Sequence, residues 1–291
     1  MHTKEAIPGP DTAPPRQRST GTLRLTVGPA GEGGPTRLRD LAESGPSRLR
    51  FPKAGAVPEA VLVNTAGGIA CGDSFTVDLD LAPGSALVFT TTAAEKIYRS
   101  DGPDSTIDNR VVLGEGARLA WVPQETILFD RARLRRSFAV DLAEGAGLLA
   151  LEIVAFGRAA RRERIAEGLF VDRWQVRRAG RLVYADTVRL DGPISDRLAR
   201  RAIGGGAGAA ATFLDASPGA EGRLEEARHL LEAAGLAGGG PSGEGAEAAA
   251  SAWNGHLAVR CLGPAIGPLR EGLARFVAAY RGEAMPRVWQ T

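Results

Sequence analysis

Several residue types are scarce in this 291-residue chain, and each scarcity closes a route. Two cysteines, Cys71 and Cys261, are too few for a disulfide framework and suit a reducing compartment. The three histidines, His2, His229 and His256, are scattered, and no pair has the spacing of a metal site. Aromatic residues make up 5% of the chain. None interleaves the arginine clusters, which argues against a single-stranded nucleic-acid groove. No apolar run approaches the ~18–20 residues of a membrane span, and the polar opening "MHTKEAIPGPDTAPPRQRST" has no apolar signal core. The expected location is therefore the cytoplasm, with no membrane and no nucleic acid as partner. No glycine run ends in Gly-Lys-Ser/Thr, so nucleotide hydrolysis through a phosphate loop is excluded.

Charge is nearly balanced, 36 basic against 34 acidic residues, for a net +2. The basic residues cluster at "RARLRR" (131–136), "RAARRER" (158–164) and "RLARR" (197–201), which read as strand edges or protein-contact rims. Arginine outnumbers lysine 33 to 3. Lys96, beside Tyr98 and Arg99, is thus either a chosen compact ammonium or an ordinary exposed lysine.

What the chain does contain is strand. In "SFTVDLDL" Phe75, Val77, Leu79 and Leu81 alternate with polar residues, and "SFAVDL" repeats this with Phe138, Val140 and Leu142. "LFVDRWQVRRAGRLVYADTVRL" predicts a hairpin turning near Ala179–Gly180. One pattern recurs three times: Leu81-x-x-Gly84-Ser85-x-Leu87, Leu113-x-x-Gly116-Ala117-x-Leu119 and Leu142-x-x-Gly145-Ala146-x-Leu148, spaced 32 and 29 residues apart. Strand, glycine turn, strand at that period stacks as successive coils or sheet layers.

Two helices are predicted late in the chain, in "GRLEEARHLLEAAG" closing at Gly235 and "GPLREGLARFVAAYRG" opening on Pro268 and closing at Gly282. The expected fold is mainly β: a disordered tail over 1–20, a stacked-sheet or β-helix-like body over 21–203, and a small α+β part with two helices over 204–291.

Acids in apolar registers are the candidate functional groups. "LLALEIVAF" is apolar on both faces, so Glu152 points into protein either way. In "LVYADTVRL" Asp186 shares a face with Leu182, Tyr184, Val188 and Leu190, which places it in the core. Asp73 follows a glycine turn and either caps it or joins them. A buried carboxylate must be protonated, paired with arginine, or face an internal cavity. The pairs can also be read as the general acid and base of a hydrolase.

Taken together, "NTAGGIACGD", "TTTAAEKIYRS", "WVPQETILFDRARL", "LEIVAFGR", "RLVYADTVRL", "LAVRCLG" and "PRVWQT" resemble the urease accessory protein UreD family (UreH in some organisms) over nearly the whole chain after residue 20. Cys71 and Thr92 stand where the family commonly has glycine and glutamine. The resemblance implies a non-catalytic scaffold with a β-rich body and two helices. It would bind the urease apoprotein and recruit UreF, through which the GTPase UreG brings nickel. It also implies an internal tunnel for transient Ni2+, no tightly bound cofactor, and Asp73, Glu152 and Asp186 at acidic positions of the family pattern. A plain assembly scaffold that touches no metal is the rival.

Overall fold

The computed structural model describes residues 18–290, apart from residues 32, 54 and 237–244. The expected tail, except for its last three residues, lies outside the described residues, as does most of the glycine-rich stretch at 237–245.

The chain opens with β1 (Thr20–Pro29) and β2 (Thr36–Ser44), an antiparallel pair, then β3 (Ser47–Arg50) and β4 (Glu59–Asn64), another. It then winds in coils through β5 (Ser74–Leu81), β6 (Ala86–Thr91), β7 (Glu95–Ile97), β8 (Ser105–Leu113), β9 (Arg118–Trp121), β10 (Thr126–Leu128), β11 (Arg133–Leu142), β12 (Gly147–Phe156) and β13 (Gly168–Arg178). Strands β5, β8, β11 and β13 stack in parallel in one sheet. Strands β6, β9 and β12 stack in parallel in the facing sheet, where β10 pairs with β12 and β7 with β10. β14 (Arg181–Gly192) folds back on β13 through the predicted hairpin and leads to a short helix α1 (Ile194–Leu198). The remainder is β15 (Ala209–Asp215), α2 (Leu224–Ala233), β16 (Glu247–Trp253), β17 (His256–Gly263) and α3 (Ile266–Arg281). β15 pairs with β12, and β17 with β15, so this last part extends the second sheet. The body is thus the expected mainly-β, coil-on-coil stack with two C-terminal helices.

The threefold repeat is the turn from the first sheet to the second. Gly84, Gly116 and Gly145 all adopt left-handed backbone, with φ of 69°, 64° and 67°. That conformation closes the corner and disfavours any residue with a Cβ. The flanking leucines stack in register: Leu81 on Leu113 on Leu142, and Leu87 on Leu119 on Leu148. All six are buried.

The two sheets differ in what covers them, and the sequence pattern follows. The outer face of the first sheet meets solvent, so β5 and β11 alternate inward-apolar and outward-polar along their length. The second sheet carries α2 and α3 on its outside, where Leu151, Ile153, Phe213 and Val259 pack against Leu231, Leu269 and Phe276. Buried on both faces, β12 reads as a nearly continuous apolar run. Between the sheets a file of rings runs Phe89, Trp121, Phe138, Trp174, Tyr184 and His256, with successive centroids 4.4, 5.0, 5.0, 6.4 and 5.1 Å apart.

Candidate functional site

Beside that file, the space between the sheets holds a cavity of about 70 Å3, room for one or a few waters. Its apolar wall includes Phe75, Val77, Phe89 and Trp121, and its polar groups include Asn64, Glu95, Asn109, Gln124, Arg136 and Glu152.

At the inner end three charges share one locus. Arg136 stands in the inward register of β11, between Leu134 and Phe138, and is 4% exposed. Its direct neighbour on β13 is Asp172, to which Nε and Nη2 donate at 2.9 and 2.6 Å. From the facing sheet Glu152, 5% exposed, accepts from Arg136 Nη1, which also donates to Thr126 Oγ1 at 3.2 Å. Each carboxylate is held by an indole as well: Trp121 Nε1 donates to Glu152 at 2.9 Å and Trp174 Nε1 to Asp172 at 3.3 Å. Burial pushes the Glu152 carboxyl above its ordinary value; Arg136 opposes this, and the nearby Asp172 adds to it. Burial also works against the Arg136 charge, yet the two acids outweigh it and keep the guanidinium protonated. One cation between two acids leaves the cluster with a deficit of positive charge.

At the outer end stands Glu95, half-buried on the short strand β7. It lines both the cavity and a neighbouring hollow of about 140 Å3 formed with Asn64, Gly67, Thr92 and Lys96. Burial raises its pKa to about 7, with smaller opposing effects from the Asn64 amide, which donates at 3.1 and 3.3 Å, and from Lys96. No ion pair to Glu95 occurs among the described residues, and the charge of the adjacent Lys96 acts on it only through space.

The residues singled out in the sequence separate in space. Glu152 is where its register put it, deep between the sheets. Asp186 is not in the core: its side chain is 28% exposed and paired with Arg260 at 2.6 Å. β14 is the last strand of its sheet, and a bulge opposite Val176 and Arg177 throws Leu182 out of phase. Leu182 and Val188, expected to bury beside Asp186, are exposed. Arg260 reaches across from β17 to Asp186 and, at 2.7 Å, to Tyr184 Oη, tying the two sheets at their open edge.

Asp73 is buried, and its two oxygens accept the Ser19 and Ala70 N–H groups at 2.8 Å each, so it caps its glycine turn and lies off the cavity. Lys96 is exposed at the outer hollow, whereas Tyr98 and Arg99 face a different one. The two thiols are separate, buried and free. Cys71 donates to Asp101 at 2.7 Å, and burial raises Cys261 to about 12. Among the described residues no three His, Cys, Asp or Glu side chains converge as a metal site, and no helix is long and apolar enough to cross a membrane.

Reasoning from sequence missed Arg136, Asp172 and Glu95. The first two carried a usable signal, since Arg136 alternates with Leu134, Phe138 and Val140, and Asp172 with Phe170, Trp174 and Val176. Glu95 had none, because three residues are too few for a period. The motif "WVPQETI" and the terminal "PRVWQT" meet in space: Gln124 Nε2 donates to Val288 O at 2.6 Å, and Trp289 Nε1 to Val122 O at 3.0 Å.

Comparison with known proteins agrees with the motif reading. The family model described as "UreD urease accessory protein" matches residues 19–290. Urease accessory protein UreD 1 of Methylobacterium radiotolerans is 69% identical over 280 residues, covering 96% of this chain and 94% of that protein. Urease accessory protein UreD 2 of Methylorubrum populi is 60% identical over 286 residues, 97% and 94% of the two chains. A UreD of Xanthobacter autotrophicus is 50% identical over 276 residues, 95% and 91%. With the match running from β1 through the C-terminal Trp289 that locks onto the second sheet, the chain belongs to the UreD family of urease accessory proteins.

Proposed function

We propose that this chain is a non-catalytic maturation factor that works in the cytoplasm, binds the urease apoprotein and, with UreF and the GTPase UreG, passes nickel toward the urease active site through the space between its sheets. The observation that carries the reading is Glu95: a carboxylate with no ion pair among the described residues, shared by a solvent-side hollow and by the cavity whose wall bears Glu152. An oxygen donor so placed accepts a divalent cation by losing its proton, and carboxylates without imidazole or thiolate companions hold such ions weakly. Weak holding suits transfer. Arg136 serves the same end, because its guanidinium already bonds both inner carboxylates and competes with an ion for them.

The test is co-expression with the urease subunits and the other accessory proteins, reading nickel per urease active site. Glu95→Gln and Glu152→Ala are expected to lower nickel content while UreF still co-purifies; Asp186→Ala, at the sheet edge, probes whether the route leaves there. Normal nickel in all three variants would sink the passage.

The pure scaffold remains as a second reading, favoured by Arg136 being bonded to both inner carboxylates, and it expects that normal nickel. The hydrolase reading has little support, since Glu152 and Asp172 share one guanidinium in place of standing free as acid and base.

A further inference from the structure

Strands β7 and β10 run in parallel from the cavity outward, and just past their C-terminal ends lies another hollow, of about 470 Å3 and open to solvent. Its centre is Phe129. The Tyr98 ring meets Phe129 edge-on at 5.2 Å, and the Arg158 guanidinium lies over its face at 4.5 Å. Arg99 and Arg131 complete the rim with Asp130 and Glu163.

The positive groups here are built outward. Arg131 holds left-handed backbone, with φ of 62°, a conformation that side-chained residues disfavour and that concentrates at functional surfaces. Glu163 fixes the loop by taking two bonds from the Arg158 guanidinium, at 2.8 and 2.6 Å, and one from its N–H at 3.1 Å. Gly157 permits the fold of that loop, since a Cβ there would lie 2.4 Å from Glu163 O. Arg99 has no ion pair among the described residues, and Arg131 reaches Asp130 only at 3.9 Å with its side chain 66% exposed. In a chain of net charge +2 this is a local excess.

We infer that this hollow is a docking surface for an acidic segment, rich in Asp and Glu, of a partner protein. Exposed guanidinium forks beside a half-open aromatic pair match carboxylate side chains in geometry and charge. A nucleic-acid strand is the poorer match, because the Arg158 guanidinium lies over the Phe129 ring and Tyr98 meets that ring edge-on, so the hollow offers no stacked platform for bases. Position adds meaning: Tyr98 Oη donates to Gly67 O at 3.1 Å, and Gly67 lines the outer hollow beside Glu95. A segment seated on the arginines therefore lies next to the opening of the proposed nickel passage. The partner's place in urease maturation rests on the function proposed above; the surface itself does not.

The experiment is fluorescence anisotropy of a labelled octaglutamate peptide titrated with the full chain at low salt. Arg99→Glu/Arg131→Glu is expected to weaken binding at least tenfold, and added salt to weaken the parent similarly. Arg110→Glu, on the outer face of the first sheet, is expected to leave binding unchanged. Arg131→Gly separates docking from folding, because it removes the left-handed strain together with the charge: thermal stability should hold or rise while peptide binding falls. Equal peptide binding by the parent and the double variant would overturn the proposal, as would tighter binding of a 12-mer oligodeoxynucleotide than of the peptide. Loss of peptide binding by the double variant with normal nickel delivery in Glu95→Gln, Glu152→Ala and Asp186→Ala would retain the docking surface and discard the passage; unchanged peptide binding with lowered nickel in Glu95→Gln and Glu152→Ala would do the opposite.

Discussion

Replacing Glu95 by glutamine should change how the stability of this protein depends on pH. The carboxyl has a pKa of about 7 in the folded chain against an ordinary 4.5, chiefly through burial. The folded state therefore binds that proton more tightly than the unfolded state. Its contribution to stability is fully present below about pH 4.5 and is lost as pH rises through about 7. Each pH unit separating the folded and unfolded values is worth about 1.4 kcal/mol, which makes the full effect roughly 3 kcal/mol. Solvent screening of a half-buried group brings it to between about 1 and 3 kcal/mol. Glutamine keeps the acceptor that Asn64 donates to and never ionises. Parent and variant should thus be equally stable near pH 4.5, with the variant ahead by about 1–3 kcal/mol at pH 8. Urea denaturation followed by tryptophan fluorescence, repeated across pH 4.5–8, measures the difference and cancels every other titrating group. A difference that stays flat with pH would refute the argument that burial, outweighing the Asn64 amide and the Lys96 charge, sets this carboxyl apart.

Other outcomes follow from the same geometry. Arg136→Met strands two buried carboxylates and should cost about 3–5 kcal/mol at neutral pH; the triple change with Glu152→Gln and Asp172→Asn should recover most of it in denaturant titrations. Asp186→Asn breaks a half-exposed pair and should cost no more than about 1 kcal/mol. Gly116→Ala meets no neighbouring atom but must hold φ of 64°, for about 1–2 kcal/mol read as a lowered melting temperature. Leu113→Ala, at the middle of its leucine stack, should cost about 2–5 kcal/mol.

Much of the architecture was legible in the sequence because local chemistry dictates it. The recurring glycine at Gly84, Gly116 and Gly145 is required by backbone geometry, and the flanking leucines by stacking in register. Alternation exposed β5 and β11, whose sheet has one wet face. Glu152 was legible for the opposite reason, since both faces of β12 are covered. Asp186 misled because period-two reasoning assumes an unbroken strand well inside a sheet, whereas β14 is bulged and at the edge. Glu95 and the pairing of Arg136 with Glu152 depend on how two sheets face each other, a long-range relation that no single strand encodes. The basic runs were visible, but only the folded chain brings Arg99, Arg131 and Arg158 around Phe129.

The file of rings between the sheets gives this protein an optical reporter of its own. Trp121 and Trp174 donate their indole N–H groups to Glu152 and Asp172, the two acids that flank Arg136. Any ion or conformational change that disturbs those acids alters the field on two chromophores linked through Phe138. Emission wavelength and near-ultraviolet dichroism would then register events at the interior charges in real time, with no label attached and no cysteine introduced.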